Sequence, residues 1–348
     1  MKKLFAVILT VMLCPFFAQN ALAQDEKILN VYNWSEYIPQ DVLTQFTEET
    51  GIEINYTTFE SNEAMYAKLK LLDGKGYDVV VPSTYFVTLM REQGLLARID
   101  TGKLDNFKHI DPFVLHQPFD PKNEYSVPYM WGSTSLLVNT DHVDPASVTS
   151  WHDLLRPEFK GKIILSDDLR DTMGMALLAT GHSVNSRSDA ELKEAYEFLK
   201  QLYPSVRVFD VTATKQAFAS EEVIIGMSWN GDATVLTQEM PNLQYIYPRE
   251  GAPLWLDSLC IPKNAEHKDN AHTFINFLLR PDIAKRIVEE YLYSTPNKAA
   301  WELLPEDLKN SRAVSPTAQD LEKSEFCDSV GPALQIYEKY WQMLKTRS

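Results

Sequence analysis

Basic residues are in short supply in this chain: 33 Lys and Arg stand against 48 Asp and Glu in 348 residues, a formal net charge of −15. That deficit disfavours nucleic acid as a partner, since binding phosphate needs a basic surface. Cysteine is scarcer still, with three residues, and Cys14 lies in an N-terminal apolar run, which leaves Cys260 and Cys327. Two cysteines without a telling spacing are not a disulfide scaffold, although an oxidising compartment would permit one bridge. The seven histidines, among them His182, His267 and His272, are scattered and form no close His/Cys ligand pattern. No metal site and no cofactor is expected. There is no low-complexity tract, internal repeat or long Gly/Ser linker, and no later stretch reaches the ~18 to 20 apolar residues of a membrane-spanning helix.

What is present begins with a leader. Lys2-Lys3 is basic, Leu4 to Phe17 is almost wholly apolar, and Ala21-Leu-Ala23 has the small-x-small form of a cleavage site. Residues 1–23 read as a secretory signal peptide, with the mature chain starting near Gln24. Lipidation at Cys14 is rejected, because the preceding Leu13 is bulky where a small residue is needed. Without Lys2 and Lys3 the balance is 31 basic against 48 acidic residues, a net charge of −17. An acidic protein attracts cations, but it is also simply more soluble.

The stretch Val31-Tyr-Asn-Trp-Ser-Glu-Tyr37 reads as a strand ending in two aromatics and a carboxylate. Ligands of open α/β sheets sit at strand ends, and this mixture suits a cation, which is drawn to aromatic faces and pairs with carboxylates. The same mixture recurs at Ser83-Thr-Tyr85, Asp168-Leu-Arg-Asp171, Trp229-Asn-Gly-Asp232 and Trp255-Leu-Asp257. We read these five stretches as lining one cleft. Taken singly, each has a plainer reading, as lobe core, solvent edge or, for one of Asp168 and Asp171, the cap of a helix N-terminus. Two carboxylates three residues apart, Asp168 and Asp171, are harder to explain without a cation between them. If extended, Trp255-Leu256-Asp257 puts its tryptophan and aspartate on one face.

A mature length of about 325 residues exceeds one comfortable core, so two lobes are expected. Helices are predicted at Gln40–Thr50, capped by Gly51, at Asn62–Asp73, Thr84–Gln93, Asp171–Thr180, Leu192–Leu202, Asn270–Leu279 and Asp282–Tyr291, and at Val330–Leu344. Strands are predicted at Ile52–Tyr56, Tyr77–Val81, Trp131–Val138, Gly161–Leu165, Val223–Trp229, Leu243–Tyr247 and Ser258–Ile261. In the N-terminal portion their alternation with helices implies a parallel sheet with right-handed crossovers, and each lobe is expected to be an α/β unit, a mixed or parallel sheet flanked by helices.

Five segments carry a resemblance: Asn33-Trp-Ser-Glu-Tyr37, the run from Glu60 to Leu69, the run from Tyr77 to Tyr85, Pro128-Tyr-Met-Trp-Gly132 and Phe277-Leu-Leu-Arg-Pro281. From about residue 28 onward the chain resembles the periplasmic spermidine/putrescine-binding proteins of bacterial ABC importers. The resemblance implies a type II, two-lobed solute-binding fold with the ligand cleft between lobes 24–135 plus 258–303 and 136–257 plus 304–348. It implies Trp34, Tyr37, Tyr85, Trp229 and Trp255 as walls along a polyamine, Asp168, Asp171 and Asp257 at its ammonium groups, and Glu36, Ser83 and Tyr293 as polar support. Three positions depart from the family pattern: Ser35 for threonine, Asp171 for glutamate, and Cys327 for an amide. The resemblance also implies a periplasmic monomer whose partners are spermidine or putrescine and a membrane permease. A receptor reporting polyamine to a membrane sensor would have the same cleft. An enzyme using the acids as a pair is disfavoured, since they sit among tryptophans with no evident nucleophile. By strand alternation Cys260 points away from the Asp257 face, which favours free thiols over a Cys260–Cys327 bridge.

Overall fold

A computed structural model describes residues 27–210 and 213–346, so the signal peptide expected over 1–23 lies outside the described residues. Ten strands run in chain order: β1 (Ile28–Trp34), β2 (Glu53–Phe59), β3 (Val79–Val80), β4 (Val127–Asn139), β5 (Ile163–Leu165), β6 (Val206–Phe209), β7 (Ile225–Trp229), β8 (Leu243–Ile246), β9 (Pro253–Leu259) and β10 (Glu325–Phe326). β1, β2 and β3 form a parallel sheet in the order β2-β1-β3. The rest form a mixed sheet ordered β10-β9-β4-β7-β5-β6, with β8 on β4.

The local rules hold well. The helix Gln40–Thr50 buries Val42, Leu43 and Phe46 and stops at Gly51, whose φ of 69° is the left-handed conformation glycine adopts without strain. Pro281 opens the helix Pro281–Tyr291, since its missing N–H costs nothing at a first helical position. The predicted strand Tyr77–Val81 is only Val79–Val80, because Asp78 turns its carboxylate to the N–H groups of Asn30, Glu266 and His267. The predicted strand Ser258–Ile261 lies further back, at Pro253–Leu259, and β6 went unpredicted.

Two large hydrophobic clusters give the molecule its two lobes. One draws on residues from Leu29 to Trp131 and from Leu254 to Ile287, the other on residues from Leu136 to Ile246 and from Cys327 to Leu344. β4 serves both. Its first half, Val127 to Ser133, pairs with β9, and its second half, from Thr134 onward, pairs with β7 and β8. All 13 of its residues are buried. Asp257 of β9 and Cys260 just beyond it form isolated bridges with Ser83 and with Val80 of β3. The site residues gather where these strands pass from one cluster to the other.

Candidate functional site

Asp257 anchors one side. It is 4% exposed on β9, one residue beyond Leu256 of the core. Tyr37 donates its hydroxyl at 2.5 Å to one carboxylate oxygen and Ser83 donates at 2.6 Å to the other. Ser83 occupies the cap position of the helix Thr84–Glu92, yet its side chain makes no capping bond. The hydroxyl serves Asp257 instead, and Asn62 fixes it by donating at 3.0 Å to that oxygen and accepting from the Ser83 backbone N–H. Burial pushes the Asp257 carboxyl up to about 6, against the pull of the Ser83 and Tyr37 hydrogen bonds.

Asp168 and Asp171 stand on the other side, at the start of the helix Leu169–Ala179. The plain reading of Asp168 is correct as far as it goes: its carboxylate accepts the N–H groups of Arg170 and Asp171 at 2.7 and 2.9 Å. Asp171, 7% exposed, receives the indole N–H of Trp229 at 2.7 Å. Burial pushes the Asp171 carboxyl up to about 7, reinforced by the Asp168 charge and opposed by the Trp229 hydrogen bond. Burial raises Asp168 as well. The pair thus lies in a poorly solvated place, where a second negative charge is costly and an arriving cation is welcome.

Aromatic rings run on from Tyr37, the partner of Asp257. Trp255 meets Tyr293 edge to face at 5.3 Å, Tyr293 lies 6.1 Å from Tyr37, and Tyr37 lies 6.5 Å from Trp34. Two glycines admit these rings. A Cβ at Gly132 would lie 2.2 Å from Cζ2 of Trp255, and one at Gly231 would lie 2.3 Å from Cε1 of Tyr293. Burial raises the Tyr293 hydroxyl, and the charges of Asp232, Asp257 and Glu36 push the same way. Tyr85 is likewise raised by burial, then by Asp168 of the facing side.

Other expected residues play different parts. Ser35 is exposed and donates to Glu60 at 2.8 Å, and Glu36 is exposed with a left-handed φ of 51°. Trp34 is half-buried, with its indole N–H committed to the Val81 carbonyl at 3.0 Å. Cys327 and Cys260 are both free and buried, in different clusters. Burial pushes the Cys327 thiol up to about 12. After burial, the charge of Arg170 acts on it and pulls the other way, while those of Asp171 and Asp168 add to the rise.

Three residues escaped the sequence-based set. Asn62 lies in the Glu60 to Leu69 run singled out above, but as one polar residue at a helix start it was not itself chosen. Asp232 belongs to a stretch singled out above, but it was not itself chosen; burial raises its carboxyl to about 6. Its position, three after Trp229 at the first turn of the helix Asn230–Glu239, is the signal that could have found it. Arg170 is a buried arginine between the two aspartates.

The family described as Bacterial extracellular solute-binding protein matches residues 41–315. The chain is 48% identical, over 93% of its length and 93% of the relative's, to the spermidine/putrescine-binding periplasmic protein of Escherichia coli K12. It is 32% identical, over 85% of each chain, to the putrescine-binding periplasmic protein PotF of the same organism. Among solved structures, the spermidine/putrescine ABC transporter substrate-binding protein PotD of Streptococcus pneumoniae matches with a TM-score of 0.85 and 37% identity, covering 92% of this chain and 98% of that one. Sequence and fold agree, and the chain belongs to the bacterial extracellular solute-binding proteins.

Proposed function

We propose that the chain is a periplasmic receptor that captures spermidine and putrescine and delivers them, chemically unchanged, to the membrane permease of an ABC importer. The observation that carries this is the pairing of two buried acidic stations, Asp257 with Tyr37 and Ser83, and Asp171 with Trp229 beside Asp168, across a band of aromatic rings. A polyamine is an apolar chain with ammonium groups at fixed separations, so acids must sit at intervals with rings between them. A carboxylate–ammonium pair at contact gains about 1 kcal/mol in water-like surroundings and several when shielded. Each cation–π contact adds roughly 0.5 to 2 kcal/mol. Ordering the chain and stripping its water oppose both, so capture requires many contacts, closed by lobe motion.

In this reading Asp168, Asp171 and Asp257 take ammonium groups, with Asp232 and Glu36 adding to the field at Tyr293. Trp34, Tyr37, Tyr85, Trp229 and Trp255 flank the methylenes. The lobes comprise 24–135 with 258–303 and 136–257 with 304–348, and the protein acts as a monomer. It acts by binding and release rather than by turnover, a reading that its solute-binding family supports. Relatives named for spermidine, putrescine and periplasmic transport support the ligand class and compartment.

The test is calorimetric titration of the chain from Gln24 onward with spermidine and putrescine, followed by mass analysis of the released ligand. One-to-one binding with unaltered ligand is expected. Heatless titrations, or a changed ligand mass, would overturn the proposal.

A further inference from the structure

Arg170 is 5% exposed and sits between Asp168 and Asp171, yet its hydrogen bonds lead away from both. Nη1 donates to the Asp328 carbonyl at 2.8 Å, and Nη2 donates to the Asn185 side-chain oxygen at 2.9 Å and the Val184 carbonyl at 3.3 Å. The guanidinium lies over the rings of Tyr337, at 5.1 Å, and Tyr85, at 5.8 Å. Its Nε is buried without a hydrogen-bond partner, so the side chain holds this pose at some expense.

Asp328 is in turn gripped from the opposite lobe. Thr88, on the helix Thr84–Glu92 that starts at the Ser83–Asp257 station, donates its hydroxyl to the Asp328 carboxylate at 2.8 Å. One turn earlier, the Thr84 hydroxyl donates to the Cys327 carbonyl. The Cys327 N–H donates to the Leu254 carbonyl of β9 at 2.7 Å. The two-residue strap Cys327–Asp328 therefore ties the helix bearing one acidic station to the helix that begins at the other.

We propose that Arg170 is a positioning residue of the polyamine site, which fixes the Asp168–Asp171 station relative to the Asp257 station through Asp328 and Thr88. This rests on the polyamine reading above. The planar fork of arginine suits the role, because it donates in two directions at once, to the strap and to the 184–185 turn. Lysine carries the same charge but no fork. A triamine that spans both stations is sensitive to their separation, whereas a diamine has fewer charges to place.

The experiment measures spermidine and putrescine affinities and stoichiometries for the wild type, Arg170→Lys, Thr88→Val and the double variant. Arg170→Lys is expected to weaken spermidine about tenfold, the scale of a lost charge-assisted hydrogen bond, and putrescine less. Thr88→Val, at a residue whose hydroxyl serves Asp328 and not Arg170, Asp168, Asp171 or Asp257, is expected to weaken spermidine about threefold in the same ligand-selective way. The double variant should bind no worse than Arg170→Lys, since both changes cut one chain of bonds. Parallel losses for both ligands, a reduced stoichiometry at unchanged affinity, or additive effects in the double variant would overturn the positioning role. Failure of the wild type to bind either polyamine would instead overturn the reading on which it rests.

Discussion

The Tyr37 hydroxyl donates to Asp257 at 2.5 Å although 220 residues of chain separate the two. This bond, with that from Ser83, holds a buried carboxylate at a fixed angle without neutralising it. Asp257→Asn should therefore fold but weaken spermidine binding by about tenfold or more, since one partner of a shielded charge pair is lost. Far-ultraviolet circular dichroism and calorimetry check the two halves of the statement. Unchanged affinity would reduce Asp257 to a structural strut.

Binding should release protons. Asp257 and Asp171 are raised to about 6 and about 7, and burial is the first cause of each. Between the ordinary carboxylate range and these values the folded, empty protein holds more protons than the unfolded chain. Its stability contribution from these acids therefore falls as pH rises through that window. A polyammonium ligand favours the ionised forms, so affinity should fall as pH drops from about 7 to about 5. Titrations at pH 6 in two buffers of different ionisation enthalpy measure the protons released, and equal heats would contradict this.

Gly132→Ala should disturb Trp255 without touching an acid. The added Cβ would lie 2.1 Å from Oδ1 of Asn230 and 2.2 Å from Cζ2 of Trp255, and both belong to a packed interior. A loss of about 1 to 3 kcal/mol in stability is expected from overpacking, with weaker polyamine binding. Wild-type tryptophan fluorescence should respond to polyamine, and in this variant the response should shrink. Equal responses would mean that the ring moves aside freely.

The thiols should be silent in the folded protein. Cys260 and Cys327 are free, and burial raises both, Cys327 to about 12. A thiol reagent at pH 7 should count two thiols in the denatured mature chain and label the native one slowly. Zero thiols on denaturation would mean a bridge. In Cys327→Gln a longer amide must first find room in the apolar cluster that buries the thiol before it can offer its carbonyl to an amine.

The sequence by itself determined the class of this protein and most of its elements. The spacing of Val42, Leu43 and Phe46 before Gly51 specifies a helix and its end, because helical period and a left-handed cap are local properties. The recurrence of aromatics and acids in five short stretches pointed to an organic cation, because acids beside aromatics suit one wherever they meet. Only the tertiary structure decided which hydroxyls hold Asp257, that Trp229 donates to Asp171, and that Arg170 turns from its neighbours to a strap 158 residues away. Those pairings rest on distances across the chain and on how deeply each charge is buried. Neither is written in the residues adjacent to it.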